Sequence, residues 1–299
     1  MADAHFTGLY TLTPTHCGTG QTSGAVDLPI ARESHTGLPV LPASSLKGAA
    51  RHAFHKKLTE EQEQILFGSE VVQGDAKESA REMRPGALVI MEGRLLVYPL
   101  RSLQRPFLYA TCPLIIERLA RDARALGIDL PPLDKGISGL KDGVLVSKDL
   151  AGKPLIVEDF VYDATEVQPM PEGNRLAESL ASLLPNNEVH TRTRLSQSLV
   201  ILPDNEFADL VRRVMPVQAR IRLGEEKTTT GENGNLWYEE TLPPDCLFGV
   251  FLTSRPGIAA NGNDPCKLFI DLVAAERSIQ IGGNETVGNG YCWWTALTA

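Results

Sequence analysis

Two glycine-rich polar segments, one near each end of the chain, have the composition to gather backbone N–H groups around an anion. The first runs from His16-Cys17-Gly18-Thr19-Gly20, through Val26-Asp27-Leu28-Pro29-Ile30-Ala31-Arg32-Glu33, to Leu41-Pro42-Ala43-Ser44-Ser45-Leu46-Lys47-Gly48-Ala49-Ala50-Arg51. The second is Gln280-Ile281-Gly282-Gly283-Asn284-Glu285-Thr286-Val287-Gly288-Asn289-Gly290. Stretches this rich in Gly, Ser, Thr and Asn let amides converge on one point. The first also leads into a helix, whose N-terminus adds unpaired N–H groups. The ligand expected of such a pair is a phosphate backbone. On the residues alone, Gly282, Gly283, Gly288 and Gly290 equally well form a tight hairpin with no ligand.

Inside these segments stand the side chains able to do chemistry. Asp27, flanked by Val26 and Leu28-Pro29, has the neighbours of a turn or hydrogen-bonded structural Asp, and a catalytic carboxylate is the other reading. His16 has an imidazole that can move a proton or bind a phosphate, or serve as a hydrogen-bonded residue near a strand end. Its neighbour Cys17 does not complete a Cys–His dyad, because consecutive side chains on an extended strand point to opposite faces. Tyr238 and Glu239 read as a cross-strand hairpin pair or as groups that reach an active loop. Ser44, Ser45 and Lys47 are at minimum a helix cap and a surface lysine. The adjacent Gly48 costs helix stability and lets a ligand or backbone approach closely. His52 and His55 share a helix face, yet no third metal ligand is evident in that segment; they read as basic surface.

The elements that must position these groups alternate along the chain. Phe6 to Pro14 has strand character. After a glycine-punctuated loop, a helix is expected over Ser44 to Lys57 with Ser44 as its N-cap. There Lys47, Arg51 and His55 form one stripe and Leu46, Ala50, Ala53, Phe54 and Leu58 the opposing apolar face. A second helix spans about Glu60 to Phe67, with Thr59 and Gln62 as a capping box and Gly68 as its stop. Strands follow at Ala87 to Met91 and Arg94 to Leu100, then a helix from Pro113 to Leu126 ended by Gly127. Gly127 to Asn187 holds many prolines and glycines and no sustained period, and reads as an inserted, loop-rich lobe. A helix at Asp204 to Val214 leads into a strand from Gln218, a turn over Thr228 to Asn235 and a returning strand from Leu236 to Glu240, so Gln218 to Leu242 is expected to protrude as a hairpin. This is an α+β order suited to a ferredoxin-like unit.

Composition bounds the rest. With 299 residues, 42% of them hydrophobic, the chain can bury one large core or two modest ones. No run approaches the roughly 18 apolar residues of a membrane span, and Met1-Ala2-Asp3-Ala4-His5 lacks the parts of a signal peptide, so a cytoplasmic protein with no membrane partner is expected. The cysteines at 17, 112, 246, 266 and 292 are scattered and form no Cys-x-x-Cys pair, which points to buried or incidental thiols. A formal charge of −8 has the wrong sign for binding phosphates unless basic residues gather on one surface. Besides the Lys47 stripe, such gatherings occur at His190, Arg192, Arg194 and at Arg212, Arg213, Arg220, Arg222; solvated faces are the bland alternative.

The segments VDLPIARE…TGLPVLPASSLKGAAR, ILFGS, GRLLVYPLRS, LWYEETLPPD and IQIGGNETVGNG together resemble the repeated backbone subunit of the type III-B CRISPR Cmr complex, within the RAMP superfamily. The matches run from about Tyr10 to Gly290, with nothing aligned between roughly Gly127 and Val200. The resemblance implies a ferredoxin-like (RRM-like) palm over 1–126 and 245–299, an inserted lobe over 127–200, and a helix with a protruding β-hairpin thumb over 201–244 that reaches over the neighbouring copy and interrupts the guide–target duplex. It implies contacts to guide RNA from Ser44, Ser45, Lys47, Arg51, Gly282, Gly283, Asn284, Gly288 and Gly290. It implies endonucleolytic cutting of target RNA at regular intervals, with Asp27 as the catalytic group and ligand of a divalent ion, Mg²⁺ first among them, and His16, Tyr238 and Glu239 as lesser candidates. RNA brings its own nucleophile, the 2′-hydroxyl. The implied partners are guide RNA, target RNA, further copies head to tail and other Cmr subunits, in antiviral defence. Two rival readings stay open: a non-catalytic guide-binding scaffold, and a metal-independent guide-processing nuclease relying on His16.

Overall fold

The structure, a computed structural model, describes residues 4–69, 84–130, 133, 137, 140, 143–171, 174–229, 235–255, 264–276 and 278–297. The first half contains β1 (Ala4–Thr11), β2 (Val40–Leu41), α1 (Ala43–Phe54), a 3-10 turn (His55–Lys57), α2 (Glu60–Phe67), β3 (Leu88–Ile90), β4 (Gly93–Arg101), β5 (Phe107–Thr111) and α3 (Pro113–Leu126). Next come β6 (Val144–Val146), β7 (Leu155–Val157), β8 (Phe160–Tyr162), β9 (Val167–Pro169), α4 (Arg175–Ala181), α5 (Val189–Ser198), β10 (Leu199–Ile201) and α6 (Asp204–Arg213). The chain closes with β11 (Val217–Arg222), β12 (Asn235–Glu240), β13 (Leu247–Ser254), α7 (Pro265–Ala275), β14 (Ile279–Gln280), a second 3-10 turn (Glu285–Val287) and β15 (Tyr291–Ala296).

Eleven of the strands form one mixed sheet in the order β14-β15-β1-β13-β4-β5-β10-β6-β9, with β2 also on β4 and β3 on β13. The β5–β10 and β6–β9 pairs are parallel and the others antiparallel. Alternation along β1 sends its side chains to the two opposite faces of the sheet. Phe6 turns toward α3, where it shares a cavity wall with Leu119. Thr7 turns the other way and its hydroxyl accepts a hydrogen bond from Trp294 Nε1 at 2.9 Å. On that second side α7 packs over β13 and β15, and the rings of Phe54 from α1, Phe269 from α7 and Trp294 from β15 meet edge-on at 5.8 and 5.2 Å, the preferred aromatic geometry.

Local signals account for several elements. Thr59 and Gln62 close the capping box of α2 in both directions, and Gly68 stops it. Pro113 opens α3, and Gly127 ends it in the left-handed conformation that glycine adopts without cost. The start of α1 corrects the sequence reading: Ser44 is not the N-cap. Pro42 holds the cap position at φ −57° and ψ 135°, with no side-chain cap bond, and its carbonyl accepts from Leu46 N–H at 3.0 Å. Ser44 lies inside the first turn, exposed to solvent. The region 127–187 is more regular than its composition suggests: β6 and β9 extend the large sheet, and β7 pairs with β8. Residues 230–234, the centre of the expected turn at Thr228 to Asn235, lie outside the described residues. Among the described residues no helix is long and apolar enough to cross a membrane.

Candidate active site

Strands β11 and β12 pair only with each other in regular register, from Val217 opposite Glu240 to Arg222 opposite Asn235. The free edge of β12 takes up the segment that carries Asp27. Leu28 N–H donates to the Tyr238 carbonyl at 3.1 Å, and Glu240 N–H donates to the Leu28 carbonyl at 3.0 Å. Leu28 thus forms a parallel bridge to Glu239, and the segment is a short third strand on the hairpin. Asp27 is held at the head of this strand, where its Oδ2 accepts from Tyr238 N–H at 2.7 Å. Before it, Thr22 N–H donates to the Asp27 carbonyl at 2.9 Å and the Thr22 hydroxyl to the Val26 carbonyl at 2.8 Å. The turn is closed, and Asp27 is half-buried.

Glu239 and Glu240 follow directly, and on a strand neighbouring side chains must diverge. Glu239 is 2% exposed. Its Oε1 accepts from Asn284 Nδ2 and lies 3.5 Å from His16 Nδ1, and its Oε2 lies 3.3 Å from Arg220 Nε. Glu240 turns to the Asp27 strand: Oε2 accepts from Ile30 N–H at 3.1 Å and Oε1 from Arg32 Nη2 at 2.5 Å. Tyr238 stays exposed on the opposite side of the strand from Glu239.

His16 sits between these groups. Its Nδ1 is 2.7 Å from the Glu240 carbonyl, and since a carbonyl only accepts, Nδ1 carries the proton. The other ring nitrogen, Nε2, faces Gly18 so closely that a Cβ there would stand 2.5 Å away. The His16 carbonyl accepts from Gly283 N–H at 2.9 Å. Gly282, at φ +85°, passes so near that an added Cβ would fall 2.2 Å from the same oxygen, so glycine is required by contact as well as by φ. Beneath lies Cys17, whose thiol burial pushes up to about 12; it is a buried core group and no nucleophile near neutrality.

The structure thus brings Asp27, His16, Tyr238, Glu239, Gly282, Gly283 and Asn284 into one cluster. Within the 281–290 loop, the amides of Gly283, Gly288, Asn289 and Gly290 are spent on His16, Glu285, Asn284 and Pro14 carbonyls. Asn284 and Gly288 take left-handed conformations on its exposed rim. The α1 residues make no direct bond to this cluster among the described residues; that helix packs against β3, α2 and β14, the strand that leads into the glycine loop. Ser44 is exposed and Ser45 half-buried. Lys47 Nζ donates to the Leu88 carbonyl at 2.9 Å, and burial, with Arg51 adjacent, holds its ammonium below the usual lysine range. Arg51 Nε and His55 Nδ1 both lie 2.8 Å from the Glu63 carboxylate, so α2 neutralises part of the basic stripe. Sequence reasoning passed over Glu240 and Arg32; the signal was the Glu239-Glu240 pair itself, two carboxylates that a strand obliges to find different partners.

A mixed sheet, a hairpin whose edge takes up the Asp27 segment, and a glycine loop against the same carboxylate strand define the class of chain. The chain belongs to the RAMP superfamily, whose family model matches residues 9–293. It is 35% identical over 294 residues to the CRISPR system Cmr endoribonuclease Cmr4 of Pyrococcus furiosus, covering 96% of this chain and 94% of that one. It is 26% identical over 308 residues to the CRISPR system CMR subunit Cmr4 of Saccharolobus solfataricus, covering 93% and 92%. The crystal structure of oligomeric Cmr4 from Pyrococcus furiosus superposes with a TM-score of 0.72 at 28% identity, covering 100% of both chains. A chain of the type III-B Cmr-beta complex bound to cognate target RNA, seen by cryo-electron microscopy, shares the fold with a TM-score of 0.75 at 20% identity, covering 99% of this chain and 98% of that one.

Proposed function

We propose that this chain is the repeated backbone subunit of a type III-B CRISPR Cmr complex, and that it cuts target RNA paired to the guide. The observation that carries the cutting role is that the β12 main chain holds both groups at the root of the hairpin, Asp27 through Tyr238 N–H and His16 through the Glu240 carbonyl, in a chain so similar to a Cmr endoribonuclease. The order β15-β1-β13-β4, with α1 between β1 and β4 and α7 between β13 and β15, supports reading the palm as ferredoxin-like, and the β11–β12 pair is then its thumb. A head-to-tail contact between copies is heterologous and repeats without closing, which suits a filament on guide RNA in the cytoplasm beside other Cmr subunits.

The chemistry asked of the chain is small. The target's 2′-oxygen attacks the adjacent phosphorus, its proton passes to a base, and the 5′-oxygen of the next nucleotide leaves with a proton, giving a 2′,3′-cyclic phosphate. Asp27, with one oxygen fixed by Tyr238 N–H, offers the other to align the hydroxyl and take its proton. His16 is the proton-transfer candidate at Nε2, while the Glu240 carbonyl orients that ring from Nδ1. Tyr238, exposed beside Asp27, is placed to touch RNA. Among the described residues no group of three or more His, Cys, Asp or Glu stands ready to hold a metal ion. A lone Asp27 oxygen fits Mg²⁺ bound chiefly through water and RNA phosphate oxygens, not a protein cage. Such an ion would neutralise charge developing on the phosphorane. Guide contacts fall to Ser44, Ser45, Lys47 and Arg51 on α1 and to the outward rim of Gly282, Gly283, Asn284 and Gly288; Gly290 is buried under that rim, with its amide on the Pro14 carbonyl, and serves to shape the loop.

The test is cutting of end-labelled complementary RNA by the reconstituted complex with Mg²⁺, wild type against Asp27→Ala. Regular cuts that vanish in Asp27→Ala while guide and target stay bound are expected, with a loss on the order of 100-fold or more. Equal cutting by both would leave a scaffold subunit, and cutting that survives a chelator would leave the metal-independent reading centred on His16.

A further inference from the structure

Asp27 is tied through its side chain to a backbone amide of the hairpin, so its position depends on the register of the strand that follows it. That register is locked three and five residues further on, at Ile30 and Arg32. Glu240, 8% exposed, takes the Ile30 N–H on one carboxylate oxygen at 3.1 Å and the Arg32 guanidinium on the other at 2.5 Å. Arg32 also donates from Nη1 to the Gly37 carbonyl at 3.0 Å, so one planar fork ties the turn over residues 33–37 to the hairpin root. The backbone of Glu240 serves too, since its carbonyl accepts from His16 Nδ1 at 2.7 Å and its N–H donates to Leu28 at 3.0 Å. One residue therefore touches both sides of the site without facing the place where RNA would lie.

We propose that Glu240 and Arg32 are a positioning pair for the cutting reaction, setting the distance between Asp27 and His16; this rests on the reading of Asp27 as the cutting group. The pair acts through geometry and not through contact with RNA. Loosening it leaves the α1 surface, the glycine loop and the palm intact, so binding survives while the cutting step slows. A shift of about 1 Å in a reacting group is enough to cost on the order of 100-fold.

The experiment measures single-turnover cutting and target affinity in reconstituted complexes carrying Glu240→Gln, Arg32→Ala, the double variant, Arg32→Lys and, as the reference, Asp27→Ala. Expected are rates lowered on the order of 10- to 100-fold for Glu240→Gln and Arg32→Ala, with target affinity within about twofold of wild type. The double variant should be no slower than the worse single one, because both remove the same contact, and Arg32→Lys should recover only part of the rate, since one ammonium cannot bridge Glu240 and the Gly37 carbonyl as the planar fork does. Wild-type cutting by Glu240→Gln and Arg32→Ala, with Asp27→Ala inactive, overturns the positioning role alone. Should Asp27→Ala cut normally, the reading of the site fails and the pair falls with it. Failure of both Glu240→Gln and Arg32→Ala to assemble on guide RNA would also overturn it, by showing a role in folding instead.

Discussion

Glu33 shows how a carboxylate next to the Asp27 strand is kept charged inside the protein. Burial pushes its carboxyl toward the neutral form, but the Arg118 fork at 2.7 and 2.8 Å, the Thr36 hydroxyl and Arg94 outweigh burial and hold it below the usual carboxylate range. The folded value being depressed, the stabilisation is fully present above the unfolded value of about 4.3 and is lost as pH falls through the folded value. Melting temperatures followed from neutrality down to about pH 3 should therefore fall more steeply for wild type than for Glu33→Gln, which removes this titration. Parallel acid limbs in the two proteins would show that the Arg118 pair contributes nothing to the pH dependence. At neutral pH Arg118→Ala should be the more damaging change, because it takes the fork from the half-buried Glu33 carboxylate and leaves it leaning on Thr36 and Arg94.

At the scale of elements, the 281–290 loop is shaped by what lies beneath it. Gly282→Ala should destabilise the protein by roughly 1 to 3 kcal/mol, because the added Cβ meets the His16 carbonyl, and it should slow cutting by displacing the imidazole. Gly288, at φ +81° with open space around it, carries only the conformational cost of about 1 kcal/mol on the same change. A chemical denaturation curve for each variant separates the two, and equal losses would sink the contact explanation. How much of this was legible in the sequence follows from the range of the signals. The boundaries of α2 and α3 were readable because Thr59, Gln62, Pro113 and Gly127 act on their own helix ends. The N-terminus of α1 was misjudged because Pro42 and Ser44 compete for one role and Pro42, preset in φ, comes first. Strands β6 to β9 are three residues each, too short for a period of two to show. The partners of Glu240 lie 208 and 210 positions away, beyond the reach of any local pattern, whereas Asp27, His16, Tyr238 and Glu239 were reached through a family resemblance and not through their spacing.

The whole molecule carries a formal charge of −8, and several of its arginines are already matched. Arg51 is paired with Glu63, Arg118 with Glu33, Arg94 with Asp122 and Glu33, and Arg213 with Asp159 and Asp209. A subunit built this way should hold guide RNA through a few contacts and not through a basic coat. The logarithm of its affinity for single-stranded guide, followed across about 0.1 to 0.4 M salt, is expected to fall with a slope of only about −1 to −2 per copy, or two to three phosphates at about 0.7 each. A slope several times steeper would reveal a cationic surface that these pairs do not allow. The placement of Asp27 on the edge of β12 has one more implication. An experimenter who trims or replaces the hairpin to ask whether it bends the duplex also removes the shelf on which the carboxylate rests, so loss of cutting in such a truncation is ambiguous. Only point changes on the outer face, at Ile221 or Leu236, which stand opposite each other and exposed, can alter the wedge while leaving the blade in place.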